Sequence, residues 1–269
     1  MLALDLRSIA LLRVGLAALI LYDLAERATF LREHYTDDGV LPRVAVALSQ
    51  GRVQWSLHLA VGSVAGVAVL FVVAAVCALA LLVGWHTRAA AIASWILLVS
   101  LQNRNPAVCY GADAELRALL FFALCLPLDA RFSVDAHADQ NAGARPDDHR
   151  SLAGAALMIQ IAAIYVFTAL LKLPDATWRE LTAVQVALGT EHHATAFGLW
   201  LTHFPSLTRA LTLMTLLLES CAPFLLFLPF SSTLRDRVRV ALIAAFTVFH
   251  ATTALALHLG YFPVVSVLA

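Results

Sequence analysis

The sequence has little charge and almost no lysine. Acids and bases number 18 each in 269 residues, charged residues make up 13%, and Lys172 is the single lysine among the bases. Soluble domains carry roughly 25% charged residues, and nucleic-acid-binding proteins present a basic surface. The composition therefore excludes an ordinary soluble domain, and nucleic acid is not an expected partner.

Patterns for a metal site or a redox dithiol are also missing. The four cysteines form no CxxC pair, the usual spacing of thiol-based metal and redox motifs. His250 and His258 are eight residues apart, and His192 and His193 are adjacent. Neither spacing matches the paired metal ligands of a helix, so we expect no metal.

Long apolar runs are what the sequence has instead. Hydrophobic residues make up 61% of the chain, and a spanning helix needs about 20 residues. The sequence predicts an all-α, polytopic helical bundle integral to the lipid bilayer, with a single transmembrane domain over 1–269. About seven spans are predicted, at 8–30, 64–83, 88–103, 114–129, 151–173, 207–230 and 238–259.

One further segment, 181–201, is apolar but holds Glu191, His192 and His193. Charged and imidazole side chains are costly at membrane depth. We therefore predict an interfacial or re-entrant helix here rather than a full span.

Arginines are more frequent on one side of the predicted spans, which indicates an orientation. The bias places the N-terminus in the cytoplasm and the C-terminus outside a cell membrane that the chain crosses several times. Loops 31–63, 104–113 and 174–206 then lie on the outer side, together with Lys172 at the outer end of the fifth helix.

Ionisable side chains inside the apolar runs call for partners, because each costs about 2.5–3.5 kcal/mol at membrane depth. Asp23 and Arg27 are four residues apart in the first helix and are predicted to form a structural ion pair. Glu219 is the acid of the sixth helix, which also carries Thr212 and Thr215. A lone buried carboxyl group is either neutral or needs a cation, which either Lys172 or an arginine could supply.

Tyr165, Thr168 and Lys172 share one stripe of the fifth helix, and the stripe predicts a polar pocket lining that leads to the lysine. Lys172 can be interpreted as a desolvated base or as a flanking residue that reaches the headgroups. His250, in the seventh helix, is either a structural hydrogen-bonding residue or a pocket residue.

The loop between the third and fourth helices is rich in polar groups. Asn103, Asn105 and Asp113 provide donors and acceptors that could bind a polar headgroup or an oxyanion at the mouth of the pocket. The same residues could equally cap the two helices.

Taken together, several stretches resemble the horizontally transferred transmembrane domain family, the bacterial relatives of vitamin K-dependent gamma-carboxylase. They follow the order of the family over nearly the whole chain. The matching stretches are Leu12–Asp23, Tyr35–Arg43, Ser100–Pro106, Phe132–Asp135, Ile161–Trp178 around Leu171-Lys-Leu173, and Phe249–Pro263.

The resemblance implies a chemistry for two of these residues. Lys172 matches the lysine that is held to deprotonate reduced vitamin K in the carboxylases, and His250 matches a histidine of the Phe-His segment. The implied cofactor is reduced vitamin K, a menaquinone-type quinol. The carboxylases have a histidine in the loop that here reads Asn103-Arg-Asn-Pro106, and this sequence has none at these positions. They also bind their protein substrate on a large lumenal domain, which a soluble partner protein could supply here.

Three functions remain open from the sequence. The first is an enzyme that uses Lys172 as a base on a lipophilic quinol or related lipid, with Glu219, His250 and the polar loop in its pocket. The second is a non-catalytic membrane subunit that binds a quinone or lipid, or docks a partner. The third is a transporter, which the absence of an inverted repeat disfavours.

Overall fold

The computed structural model describes residues 3–49, 55–139, 147–190 and 192–269. Over these ranges the chain is helical, with one short pair of strands, so the predicted all-α membrane bundle is confirmed. The chain forms two compact units. One runs to Leu157 and includes Leu268–Ala269, and the other is Met158–Val267. The expectation of a single transmembrane domain stays a prediction.

The first unit is built around three helices, with α4 packed against both α1 and α5. A shorter helix, α6, packs on α5 and α1. The elements described here are α1 (Leu6–Ala28), α2 (Leu31–Tyr35), α3 (Arg43–Ser49), α4 (Val64–Val83), α5 (Thr87–Arg104), α6 (Gly111–Ala123) and α7 (Val134–Ala138), with 3-10 turns at Leu57–Ala60 and Pro106–Val108.

Two short strands tie the start of α1 to the segment that leads into the second unit. Strand β1 (Leu4–Asp5) pairs antiparallel with β2 (Asp148–His149), with Leu4 opposite His149. The side chain of Asp5 then accepts a hydrogen bond from the backbone N–H of Arg7 at 2.8 Å and caps α1.

A buried arginine of α1 fixes the end of α4. Arg13 is fully buried, and its guanidinium donates to the carbonyl oxygens of Leu81 and Leu82 at 2.9 and 3.0 Å and to that of Phe132 at 2.5 Å. The carbonyls of Leu81 and Leu82 lie in the last turn of α4, where helix carbonyls lack their regular intrahelical partners. Gly84 ends α4 with φ +72°, and a Cβ there would meet Arg13 Nη1 at 2.3 Å. Glycine is thus required both for the left-handed backbone and for the close approach of the guanidinium.

The second unit is built from helices joined by turns and loops. Helix α10 packs on α12, and α11 packs on α13. The unit contains most of α8 (Leu152–Lys172), followed by α9 (Ala176–Arg179), α10 (Ala183–Leu188), α11 (Ala196–Leu201), α12 (Pro205–Leu225), α13 (Ser232–Ala256) and most of α14 (Phe262–Leu268).

Four helices of the described chain are long and apolar enough to cross a membrane. They are Leu6–Ala28, Val64–Val83, Leu152–Lys172 and Thr233–Ala256. Each of the seven predicted spans falls on a helix, but the other three, α5, α6 and α12, are not among these four. Helix α6 has 13 residues, about 20 Å of length, which is short of a bilayer core.

Three of the predicted spans had wrong ends. The fourth span was predicted to reach residue 129, but α6 ends at Ala123, because Pro127 disfavours helix in the residue before it. The sixth was predicted to reach 230, and α12 ends at Leu225, soon after Pro223. The seventh was predicted to start at 238 and include His258. Helix α13 starts at Ser232 and ends at Ala256, so His258 follows it.

The segment 181–201 forms two six-residue helices, α10 and α11. Each is about 9 Å long, too short to cross a membrane. Glu191, on which the prediction partly rested, lies outside the described residues. Backbone bonds join the residues before α11 to the end of α13: His258 N donates to His193 O at 2.6 Å, and Thr195 N donates to Ala256 O at 3.0 Å.

A glycine permits this attachment. A Cβ at Gly198 would lie 2.2 Å from the carbonyl oxygen of Ala256, a backbone atom that cannot move aside. Replacing Gly198 by alanine is expected to destabilise the second unit by about 1–3 kcal/mol, the usual cost of overpacking. Thermal unfolding of the purified protein in detergent measures this loss.

Gly189 provides the matched control. A Cβ there would meet its nearest atoms at 3.4 Å, an ordinary contact. Gly189→Ala should therefore leave the melting temperature nearly unchanged, and equal losses for the two variants would contradict the proposed packing of α11 on α13.

Candidate functional site

The lysine at the end of α8 is paired with the acid of α12. Lys172 Nζ lies 2.5 Å from both Oε1 and Oε2 of Glu219. The side chains are 18% and 5% exposed, respectively. Of the cations considered from the sequence, Lys172 is thus the one in contact with Glu219. A buried carboxylate needs this compensation, because an unpaired charge in a dry interior is strongly unfavourable.

An aromatic ring covers the same ammonium. Nζ of Lys172 lies 4.5 Å from the centroid of the Trp178 ring, within the range of a cation–π contact. The turn after α8 makes this possible: Asp175 N donates to the carbonyl of Lys172 at 3.1 Å, and the Asp175 side chain accepts from Thr177 N at 2.7 Å to start α9. Sequence reasoning missed Trp178, although an aromatic residue just past an apolar helix is typical of an interface position.

A second polar contact lies two turns earlier on α8. Tyr165 Oη and His250 Nε2 are 3.0 Å apart, and the Tyr165 ring packs on Phe246 with centroids 4.2 Å apart. His250 is 2% exposed. Among the described residues its buried Nδ1 has no hydrogen-bond partner. One imidazole nitrogen is therefore engaged, and the other remains for a group outside the described chain.

The threonine hydroxyls of the predicted stripes form hydrogen bonds with backbone groups. Thr168 donates to Ile164 O at 2.7 Å on its own helix. Thr212 donates to Thr208 O at 2.9 Å and accepts from Val184 N at 3.2 Å, which attaches α10 to α12. Thr168 thus lies half-buried between Tyr165 and Lys172 with its hydroxyl proton already used.

The three polar-loop residues belong to the first unit. Asn103 donates to Trp55 O at 2.9 Å. Asn105 donates to His34 O at 2.9 Å and accepts from Ala107 N at 3.2 Å. Asp113 accepts from Tyr110 N at 2.9 Å at the start of α6. The bonds from Ala107 N and Tyr110 N cap short helical starts, whereas the two amide donors join the loop to other segments of the first unit.

The predicted partners Asp23 and Arg27 form part of a larger buried cluster in the first unit. Arg27 Nε donates to both carboxylate oxygens of Asp23 at 2.8 Å. Its Nη1 donates to Tyr35 Oη at 2.7 Å, and its Nη2 donates to Asp113. One guanidinium thus bridges two carboxylates and a phenol that are all buried. This ties α1 to α2 and α6.

A neutral histidine is buried in the same unit. His58 is 1% exposed, and its Nδ1 lies 2.7 Å from Ser100 Oγ. Burial lowers the pKa of His58 to about 4, and the Arg104 guanidinium adds to the effect. The unfolded chain, with an ordinary pKa near 6.5, therefore takes up this proton at a higher pH than the folded protein does.

The free energy of unfolding should accordingly fall on acidification through the window from pH 6.5 to 4, where the unfolded state binds the extra proton. Between pH 7 and 5 we expect a loss of about 2 kcal/mol from this group. Denaturant unfolding at several pH values measures the slope. His58→Gln should flatten it, whereas the exposed His137→Gln should not, and an unchanged slope in His58→Gln would contradict the assignment.

Comparison with known protein families gives a match over almost the whole chain. The model of the HTTM domain matches residues 3–269. The chain belongs to the HTTM domain family. This family is associated with vitamin K-dependent carboxylase-like membrane proteins. No curated protein and no solved structure matches the chain.

The relation of the family to vitamin K-dependent carboxylases makes a lipophilic quinol the group to consider for the second unit of this HTTM protein. The second unit offers the Lys172 ammonium on α8, the indole face of Trp178 on α9 and a buried His250 Nδ1 on α13 that has no hydrogen-bond partner among the described residues. Helix α8 also exposes Phe167 and Leu171. The described residues contain no cluster of three or more histidine, cysteine or acidic side chains that could hold a metal ion.

Proposed function

We propose that this HTTM protein is a membrane-embedded enzyme of the vitamin K-dependent carboxylase-like type, in which Lys172 removes a proton from a hydroxyl of a lipophilic quinol. The observation that carries the proposal is the contact of the single lysine with a buried carboxylate and an indole ring. Every other residue among the 18 lysines and arginines is an arginine. An arginine would serve a structural ion pair at least as well, but it cannot release its proton.

Access from the bilayer supports a lipophilic substrate. Lys172 is partly exposed, and its neighbours on α8, Phe167 and Leu171, are 64% and 80% exposed. Apolar side chains with that exposure on a membrane helix face lipid. A hydrophobic substrate could therefore reach the amine sideways, while Trp178 offers its aromatic ring a stacking surface.

His250 has a proposed role beside the lysine. Its Nε2 is held by Tyr165, and the orphan Nδ1 is buried. A neutral imidazole fixed at one nitrogen can donate or accept at the other. We propose that His250 forms a hydrogen bond with a second oxygen of the substrate and that Tyr165 orients the imidazole ring. Bound there, a reduced quinone would supply a weakly acidic hydroxyl and reducing equivalents for oxygen.

A binding role without catalysis is the second candidate. It is favoured by the complete pairing of Lys172, because an ammonium held by a carboxylate and an indole is not a base until it loses its proton. In that case the pair would anchor the polar head of a quinone or lipid, and a soluble partner would carry out the chemistry.

The proposed orientation follows from the arginines of the loops. With the N-terminus in the cytoplasm, Lys172 lies at the outer end of α8, and the extramembrane domain of a soluble partner would meet it there. An alkaline phosphatase fused after Ala269 should be active in cells and a fluorescent protein at the same point dark. The reverse pattern would contradict this orientation.

The enzyme proposal is tested by oxygen uptake of the purified protein in lipid nanodiscs supplied with reduced menaquinone. We expect uptake that saturates with the quinol and requires native protein. The heat-denatured protein and empty nanodiscs are the controls, because quinols also oxidise without a catalyst. Specific binding of the quinol without any uptake above these controls would favour the second candidate.

A further inference from the structure

The lysine and its partners raise a problem that the proposed function must solve. Two carboxylate oxygens lie 2.5 Å from Nζ, and the Trp178 ring lies over the same nitrogen. Each of these contacts stabilises the charged ammonium. A base must be the neutral amine, so a proton has to leave Lys172 before it can act, and a group must receive it.

The described residues that contact Nζ include one titratable acceptor, Glu219. Tyr165 and His250 bond to each other, and Tyr165 lies seven residues before Lys172, about 10 Å along the helix axis. Nearby Thr215 on α12 donates to Leu211 O of its own helix. Among the described residues the proton therefore has one short path, along the existing hydrogen bond to Glu219.

The balance of charge favours that path. Glu219 is 5% exposed, and an uncompensated charge in such a site is strongly unfavourable. If the carboxylate stayed ionised while Lys172 became neutral, the site would carry one net negative charge. Transfer of the proton to Glu219 gives a neutral amine beside a neutral acid, so the net charge stays zero.

From this we infer that Glu219 is the proton acceptor that converts Lys172 into a base, so that the two side chains act as one unit; the inference rests on the proposed function. One N–H bond of the Lys172 ammonium breaks and an O–H bond forms on Glu219. Lys172 then takes a proton from the substrate hydroxyl, which restores the ammonium beside the negative charge left on the substrate oxygen. No oxidant or reductant takes part in either transfer, and the site remains neutral throughout. Glu219 acts through Lys172 and is a positioning residue.

Amide and acid variants of Glu219 separate this role from that of a counter-ion. Glu219→Gln keeps the shape and the hydrogen bond but cannot take the proton. We expect its turnover with reduced menaquinone to fall at least about 100-fold, with KM nearly unchanged. Glu219→Asp keeps a carboxylate and should recover part of the loss. The exposed Glu180→Gln, on the same unit, is the control and should retain activity.

A spectroscopic measurement tests the transfer itself. Infrared difference spectra are recorded without oxygen on the nanodisc protein before and after reduced menaquinone is added. The expected signal is a new carboxylic-acid C=O band that shifts in heavy water and is missing from Glu219→Gln but present in Glu180→Gln. Structural damage by the amide would not create such a band in the wild-type protein.

The outcomes separate the inference from the proposed function. If Lys172→Arg is inactive while Glu219→Gln is active, or more active than wild type, Glu219 is a counter-ion that restrains the lysine, and the inference fails alone. If the wild-type protein shows no turnover, the enzyme proposal and the inference fail together. Turnover with no Glu219-dependent band overturns the inference even when Glu219→Gln is slow.

Discussion

Lys172→Arg is expected to reduce quinol-dependent oxygen uptake by about 10²–10⁴-fold, the usual contribution of a positioned base, while the protein stays folded. The guanidinium can keep the ion pair with Glu219 and the contact with Trp178, but it holds its proton in essentially any protein setting. The measurement is uptake by the two proteins side by side in nanodiscs. Their melting temperatures, compared in detergent, report on folding.

A double variant sharpens this test. Arg209 lies exposed on α12 in the same unit, so Arg209→Lys combined with Lys172→Arg returns one lysine to the chain at a different place. We expect the double variant to be as inactive as Lys172→Arg alone, and Arg209→Lys alone to be active. A folded Lys172→Arg protein with wild-type turnover would end the case for a lysine base.

The largest loss of stability is expected from Arg27→Gln. The Arg27 guanidinium holds Asp23, Asp113 and Tyr35 together, and its side chain is 8% exposed. Removal of its charge takes a cation away from two buried carboxylates, and breaking a buried pair by removing one partner typically costs about 3–5 kcal/mol. Unfolding of the purified protein in mixed detergent micelles of increasing denaturing strength gives the difference.

Arg32 supplies the matched comparison. It pairs with Asp38 at 3.5 Å, and the two side chains are 68% and 65% exposed. Exposed pairs contribute about 0–1 kcal/mol, so Arg32→Gln should unfold almost like wild type. If Arg27→Gln lost no more stability than Arg32→Gln, the cluster would not be the support of α1, α2 and α6 that its bonds suggest.

Sequence reasoning was strongest where an effect depends on neighbours along the chain. Apolar runs placed a helix at every predicted span, and the spacing of Asp23 and Arg27 is one that brings two side chains together on a helix. The errors at the ends have local causes too. Hydropathy continues through Pro127, whereas the backbone does not continue as a helix there, and a two-residue strand such as β1 is too short for any alternating pattern to show.

The candidate site could be predicted in kind but not in detail. A buried acid needs a cation, so a partner for Glu219 could be expected. Which cation pairs with Glu219 depends on how α8 and α12 pack. Lys172 and Glu219 are 47 positions apart in the sequence, so local patterns do not reveal their contact. Trp178 reaches the ammonium through a tight turn and a four-residue helix, whose direction no periodicity reveals. The polar loop left two interpretations because capping and ligand binding use the same donors and acceptors.

The indole above the single lysine also makes this site visible to magnetic resonance. Protein grown with nitrogen-15 lysine contains one labelled side-chain nitrogen, because Lys172 is the one lysine in the sequence. Its chemical shift differs between amine and ammonium, and the ring current of Trp178, centred 4.5 Å away, displaces the resonances of the attached protons. A single peak thus records both the charge on the lysine and the position of the ring, without assignment of any other residue.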